Sequence, residues 1–402
     1  MATVTTKNFF WIAALVTGLL VMETSCSKDN DKSEDEPVVI IPPAPVNNTV
    51  DLSKLTKDYT AQDGNVLTGT LSKDCKVSIE AGATVTLSGV SINADVRVSG
   101  YCAGITCLGD ATIILADGTT NTVNSLKYNS YPCIQAGPTG TTLTIRGGSA
   151  GTGKLISNHP YPSGAAVIGG GYYYSCGNIR IEGGEITATG SGDGAGIGSG
   201  SANTGTTSCG DISITGGTVK VTGGDAGIGC GLSSTCGNIS ITGGTVVASG
   251  NDGAGIGSGS VYKEKSKCGN ISITGGDITA TGGKNAAGIG CGHGEWDIPS
   301  SSGNITISWS KDFVSVKAVK GSGALYPIGL SRSGLFYNSC GPITFGGKTI
   351  YKVAYGEEST YRNIDDGSEY DHLRLSISTT KPENANSYDN SYNDNTWTLT
   401  PL

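Results

Sequence analysis

The chain is poor in charge and in large side chains. Of its 402 residues, 15% are charged, 6% are aromatic and two are methionine. It also lacks a basic excess: 26 lysines and arginines stand against 34 acidic residues, a net charge of −8. That argues against a nucleic-acid partner, which would require a basic stripe. Proline is limited to 13 residues, and glycine does not fall at every third position, so a collagen-like triple helix is excluded. Few long aliphatic residues amid so much glycine disfavour a helical bundle. The three histidines, His159, His293 and His372, lie on separate segments. No serine–histidine–aspartate set follows from them, and no Cys-x-x-Cys with histidine suggests zinc.

What the chain has is glycine, 64 residues, about twice the usual share, set in a repeat. Cys-Gly-Asn-Ile begins at Cys176, Cys236 and Cys268, and Cys-Gly-Asp-Ile at Cys209. A Gly-Gly pair follows each, then a short alternating segment such as Thr218–Thr222, then Ala-Gly-Ile-Gly from Ala195, Ala226, Ala254 and Ala287. Ile197, Ile228, Ile256 and Ile289 mark a period of about thirty residues. Ile105, Ile134, Ile168 and Ile328 extend it in both directions, and Val77-Ser78-Ile79 adds a further turn. In Ile239-Ser240-Ile241 the isoleucines face one side and the serine the other, the period of a strand. A unit this short closes no core alone, but stacked units place isoleucine on isoleucine. The pattern predicts an all-β right-handed parallel β-helix of about nine three-stranded turns, roughly 45 Å long, with terminal caps. A β-propeller is the rival, though its blades need some forty residues.

The ends read differently. Residues 1–25, with Lys7 before the apolar run Phe9–Met22, suit a secretory signal, and Cys26 behind small residues suits lipidation. Glu23 stands where such a site usually carries an apolar residue, and an ordinary cleaved signal is the alternative. Residues 26–48 form an acidic, then proline-rich tether. Residues 49–353 form the β-helix, and residues 354–402 a polar cap over the last turn. The expected place is the outer membrane, lipid-anchored and surface-exposed, with periplasmic retention as the alternative. The expected state is a monomer.

Three features bear on function. Asp193, Asp225 and Asp252, followed by Asn285, fall before successive Ala-Gly-Ile segments. Like charges on neighbouring rungs repel unless a cation intervenes, so calcium is the candidate cofactor; tight turns also favour these residue types. Second, the loops after the Ile-Gly segment carry the large polar and aromatic groups: Tyr172, Tyr173, Tyr174, Tyr262, His293, Glu295, Trp296, Arg332 and Tyr337. Rings beside hydrogen-bonding groups suit sugar rings, although exposed loops collect tyrosine in any case. Third, Gly196, Gly198 and their equivalents form a strip without side chains that lets a polysaccharide approach the backbone; tight curvature is the other reading. Twelve cysteines in an exported chain raise disulfides, against a buried ladder of thiols in which serine substitutes freely.

Residues from Thr60 to about Gly347 resemble secreted bacterial β-helix proteins. The resemblance rests on Ala111–Val123, Thr141–Ile145 and the Gly-Asn-Ile-x-Ile-x-Gly-Gly repeats. The segment around Cys26 resembles surface lipoproteins of the Bacteroidetes type. The resemblance implies a carbohydrate-binding, pectate-lyase-like rod, calcium-dependent in related members; no lyase residue set transfers. The expected function is non-catalytic binding of polysaccharide or surface glycan. A lyase or hydrolase is the first alternative, and an adhesin contacting a host surface the second.

Overall fold

The computed structural model describes residues 48–71, 75–93, 103–125, 130–202, 206–295, 298–331, 338–351, 366–378 and 395–402. The sequence assignments for 1–25 and for most of the tether, Cys26 included, lie outside them. Residues Asn47–Leu402 form one compact unit. Among the described residues, regular structure is β apart from a three-residue turn at Leu52–Lys54, and no helix is long and apolar enough to cross a membrane.

The fold is a parallel β-helix. One ladder stacks the Ile-x-Ile strands: Ile179, Ile212, Ile239, Ile271, Ile305 and Ile343 lie in register, each on the next. A second, the valine ladder, carries Ile186, Val219, Val246, Ile278 and Val316 in register. The third is the Ile-Gly ladder, ten strands from Tyr59–Ala61 to Ile328–Gly329. It therefore holds one strand more than the repeat predicts, because Tyr59–Ala61 and Val77–Ile79 both precede Ile105 in it. Inward isoleucines of all three ladders are buried, and withdrawing each side chain from water contributes about 1.5–3 kcal/mol.

A fourth, two-residue ladder stacks the cysteines, Cys209 on Cys236 on Cys268 on Ser302 on Cys340. The Gly-Asn that follows has a stacking role. Asn178 Oδ1 accepts from Asp211 N–H at 2.8 Å, Asp211 from Asn238 at 2.7 Å, Asn238 from Asn270 at 2.9 Å and Asn270 from Asn304 at 2.9 Å. This side-chain ladder ties each rung's corner to the next. At the following corner Gly184, Gly217, Gly244 and Gly276 take φ near +90°, a left-handed turn that joins the Ile-x-Ile strand to the valine strand.

Both ladders end on antiparallel strands. Lys348–Tyr351 pairs with Ile343–Phe345. Thr396–Pro401 pairs with Phe313–Val319 and in turn with Leu373–Ser378. Trp397, Leu399, Leu373 and Leu375 are buried there, so these strands cover the last turn of the valine ladder.

Candidate functional site

The Ile-Gly strand is two residues long and sits at a narrow bend. Ala195 N–H donates to Ser199 O at 3.1 Å, Ala254 to Ser258 at 3.1 Å and Ala287 to Cys291 at 3.0 Å. Each bond closes the chain over its own isoleucine. The turn before the strand and the loop after it therefore meet on one flank, turn after turn.

The bend decides between the two readings of the glycine strip, in favour of tight curvature. Gly196, Gly198, Gly227, Gly229, Gly255, Gly257, Gly288 and Gly290 are all buried. A Cβ on Gly198 would meet Gly229 O at 1.9 Å, and one on Gly229 would meet Gly257 O at 1.9 Å. Glycine is required because rungs touch backbone to backbone, and the strip is closed to a ligand.

The carboxylates do not form one uniform row. Asp193 and Asp252 are exposed, and Asn285 is half-buried. Asp225 is 1% exposed. The cause is a one-residue offset: Asp193 and Asp252 stand two residues before their alanines, whereas Asp225 directly precedes Ala226. In neighbouring turns, Ser201 N–H bonds Gly164 O and Leu232 N–H bonds Asp193 O. In the offset turn Ser260 N–H is met instead by the Asp225 carboxylate, at 2.9 and 3.0 Å, with Ser260 Oγ at 3.1 Å. The side chain replaces a main-chain carbonyl. Burial raises the Asp225 pKa to about 8, partly countered by the Ser260 donors and reinforced by Asp252 and Asp193. Asp193 is raised also, by desolvation and then by Asp252.

The aromatic loop joins this row at one end. Tyr172 Oη donates to Tyr173 Oη at 3.2 Å, and the two rings lie 4.1 Å apart. Tyr174 stacks on Tyr131 at 5.2 Å. Tyr173 and Tyr174 are 46% and 49% exposed, so the cluster presents open ring faces. The Tyr172 pKa rises to about 12 through desolvation, the Tyr173 hydroxyl, and the charges of Tyr173 and Asp193. At the other end Asn285 Nδ2 lies 3.3 Å from His293 Nδ1. Burial lowers the His293 pKa, while Glu295 and Asp252 oppose that shift. Tyr262 is exposed, with Lys263 Nζ 5.2 Å from its ring centre. Val261 N–H donates to His293 O at 3.0 Å, which sets the Tyr262 loop beside the His293 loop. The structure thus merges the aspartate turns and the aromatic loops into one flank. Trp296, Arg332 and Tyr337 lie outside the described residues.

Among the described residues, the group of three or more His, Cys, Asp or Glu ligand atoms mutually within 4.8 Å is Cys230, Cys236 and Cys268. The aspartates form no such group. Cys230 is bonded to Cys236, and Cys75, Cys107, Cys133, Cys176, Cys209, Cys268, Cys291 and Cys340 are free and buried. The thiol ladder therefore coexists with a disulfide, and that disulfide closes a loop within one turn instead of joining rungs.

One surface was not singled out in the sequence. An open groove of about 440 Å³ lies beside the valine ladder, lined by Thr279, Thr281, Lys284, Lys317, Lys320 and Asn395 among others, with no carboxylate. Its lysines come from two turns, Lys284 from one and Lys317 and Lys320 from the next, and Asn395 comes from the terminal cap, so only stacking assembles it. Thr279 lies in register with Lys317.

A family model described as a beta helix repeat matches residues 179–201, 212–232, 239–260 and 271–293. Each match runs from the first isoleucine of an Ile-x-Ile strand to just past the Ile-Gly strand. The chain thus carries a domain of parallel β-helix repeats. No curated protein and no solved structure matches the chain.

Proposed function

We propose that this parallel β-helix is a binding module for polysaccharide, without turnover. Its contact surface is the flank on which Tyr172, Tyr173, Tyr174, Tyr262, His293 and Glu295 meet the aspartate turns. The observation that carries the reading is the exposed tyrosine cluster beside exposed carboxylates. Sugar rings have an apolar C–H face and a polar rim, and this flank offers partners for both. The terminal segment supports a lipoprotein of the Bacteroidetes surface type, anchored through Cys26 in the outer membrane. Calcium is proposed as an accessory ion at Asp193 and Asp252, bridging the flank to acidic sugars. An adhesin that contacts host surface glycans would use the same flank.

Binding of the purified protein to an array of neutral and acidic glycans, with calcium or with chelator, tests this. Tyr172→Ala with Tyr262→Ala is expected to weaken binding about tenfold or more; unchanged affinity would count against the flank. The lysine groove is expected to favour charged glycans. Lys284→Ala with Lys317→Ala should lower affinity for an acidic polymer several-fold at low salt and leave a neutral one unchanged. Equal loss for both polymers would argue for a general packing defect.

His293 favours a second, catalytic reading. It is half-buried, its pKa is lowered by burial, and Asp252 and Glu295 act on it electrostatically, the setting of a general base in a lyase or hydrolase. Chromatography of any bound polysaccharide after long incubation decides: shortened chains favour an enzyme, intact chains a binding module.

A further inference from the structure

Three sulfur atoms converge inside the rod. Cys230 follows the Ile-Gly strand of its turn and Cys236 ends the loop of that turn. Cys268 stacks in register on Cys236 one rung further on. The three Sγ atoms all lie within 4.8 Å of one another, and all three residues are buried. Cys236 is joined to Cys230, with Cα atoms 5.5 Å apart, and Cys268 is a free thiol beside that bond.

The next equivalent place differs in its ligands. Cys291 Sγ lies 3.6 Å from Ser302 Oγ, which in turn donates to Cys340 Sγ at 3.3 Å. Two sulfurs and an oxygen stand there in place of three sulfurs. A second observation marks the three-sulfur turn. Ser234 and Ser300 are each 2.7 Å from the hydroxyls of Ser199 and Ser258 one rung before. Ser266 occupies the same position in its own rung, and its counterpart is Cys230. Cys230 Sγ, bonded to Cys236, lies 3.3 Å from Lys267 O instead, and Ser266 Oγ is buried with no hydrogen-bond partner.

We propose that the reduced Cys230, Cys236 and Cys268 bind one soft metal ion of the Cu(I) type, and that the Cys230–Cys236 bond is the oxidised, closed form of the same site. A metal–thiolate bond of about 2.3 Å sets neighbouring sulfurs roughly 4 Å apart; all three lie within 4.8 Å of one another, and the bonded pair reaches that spacing once its bond is reduced. The group contains no histidine or carboxylate. Three sulfurs without a harder donor select thiophilic ions and reject calcium and magnesium. Opening the site requires a reductant. A phosphine becomes its oxide with one water, and the two bonded sulfurs take up two electrons and two protons as thiols. The bound ion then displaces thiol protons to solvent.

The full-length protein is unfolded and refolded with a phosphine and Cu(I) under inert gas, so that burial does not bar entry. It is expected to retain one Cu(I) per chain against bicinchoninate, and copper X-ray absorption should show only sulfur neighbours in the first shell. Cys268→Ser should bind about a hundredfold more weakly or worse, since losing even a group that merely orients a ligand costs up to about a hundredfold. Cys291→Ser should bind as the parent does. Both variants are expected to fold, because Ser302 stacks in register on Cys268 and Ser258 takes the place of Cys230 in the next turn; melting curves check this. No retained copper in the folded parent, or parent-like affinity in folded Cys268→Ser, overturns the proposal.

Discussion

Replacing Gly229 with alanine is expected to unfold the middle of the rod. Its φ of +135° is one that L side chains rarely adopt, and the added Cβ would lie 1.9 Å from Gly257 O. That atom is backbone of the next rung, and Cys230 N–H bonds it at 3.0 Å. It has no room to withdraw without parting the ladder. Backbone strain alone costs about 1–3 kcal/mol, and the forced separation of rungs brings the expected loss to roughly 4 kcal/mol or more. Gly82→Ala is the control. Its φ is +85°, but nothing lies within 4 Å of the added carbon, so only the left-handed backbone penalty of about 1–2 kcal/mol applies. Denaturant midpoints and soluble yield measure both. Equal, small losses would mean that the rungs are not in backbone contact.

The second large effect concerns Asp225 and pH. Its carboxyl is buried and its folded-state pKa is raised to about 8, whereas an unfolded aspartate titrates near 3.9. Below about pH 4 both states hold the proton, and the contribution to stability is complete. Between pH 4 and 8 the unfolded chain has lost its proton while the folded chain keeps it. Stability then falls with rising pH, by up to about 1.4 kcal/mol per pH unit from this group. Above pH 8 both states are ionised and the slope ends. Asp225→Asn does not titrate and retains an acceptor for Ser260. It should gain on the parent steadily from pH 5 to pH 8, and subtracting the two profiles cancels most of what the other acids contribute. Asp225→Ala should lose about 1–3 kcal/mol even at pH 5, since the half-buried Ser260 N–H is then left without its acceptor. Parallel pH profiles for the parent and Asp225→Asn would show that the carboxyl is not buried as described.

How far the sequence reaches differs from residue to residue. The Ile-x-Ile, valine and Ile-Gly segments were legible because strand alternation and a thirty-residue period each constrain where a side chain points, and both agreed. The first strand of the Ile-Gly ladder, Tyr59–Ala61, was missed because its turn is short and carries tyrosine where later turns carry isoleucine. The repeated asparagine was visible as a motif, but its role was not. A hydrogen bond from Asn178 to the amide of Asp211 joins residues that are neighbours only once the rungs stack.

The candidate site was legible as residue types and not as an arrangement. Tyr172, Asp193, Asp252 and His293 were each singled out, on loops and turns read as separate features. The bend over the Ile-Gly strand brings them to one flank. Asp225 looked like its neighbours because spacing along the chain hides a one-residue shift in phase with Ala226. That shift turns its side chain from solvent to the interior. The glycines admit both an open surface and tight curvature in sequence, because a lack of side chains says nothing about whether the space is already filled by the next rung.

The sequence by itself determined the class of fold, the axis of repetition and the inward isoleucines, since these follow from local alternation and self-similarity. The tertiary structure decided which glycines are in contact, which aspartate is buried, which cysteines meet and where lysines from different turns form a groove. Those outcomes depend on distances between rungs, and a linear period specifies that units recur without specifying how closely their backbones and side chains come together.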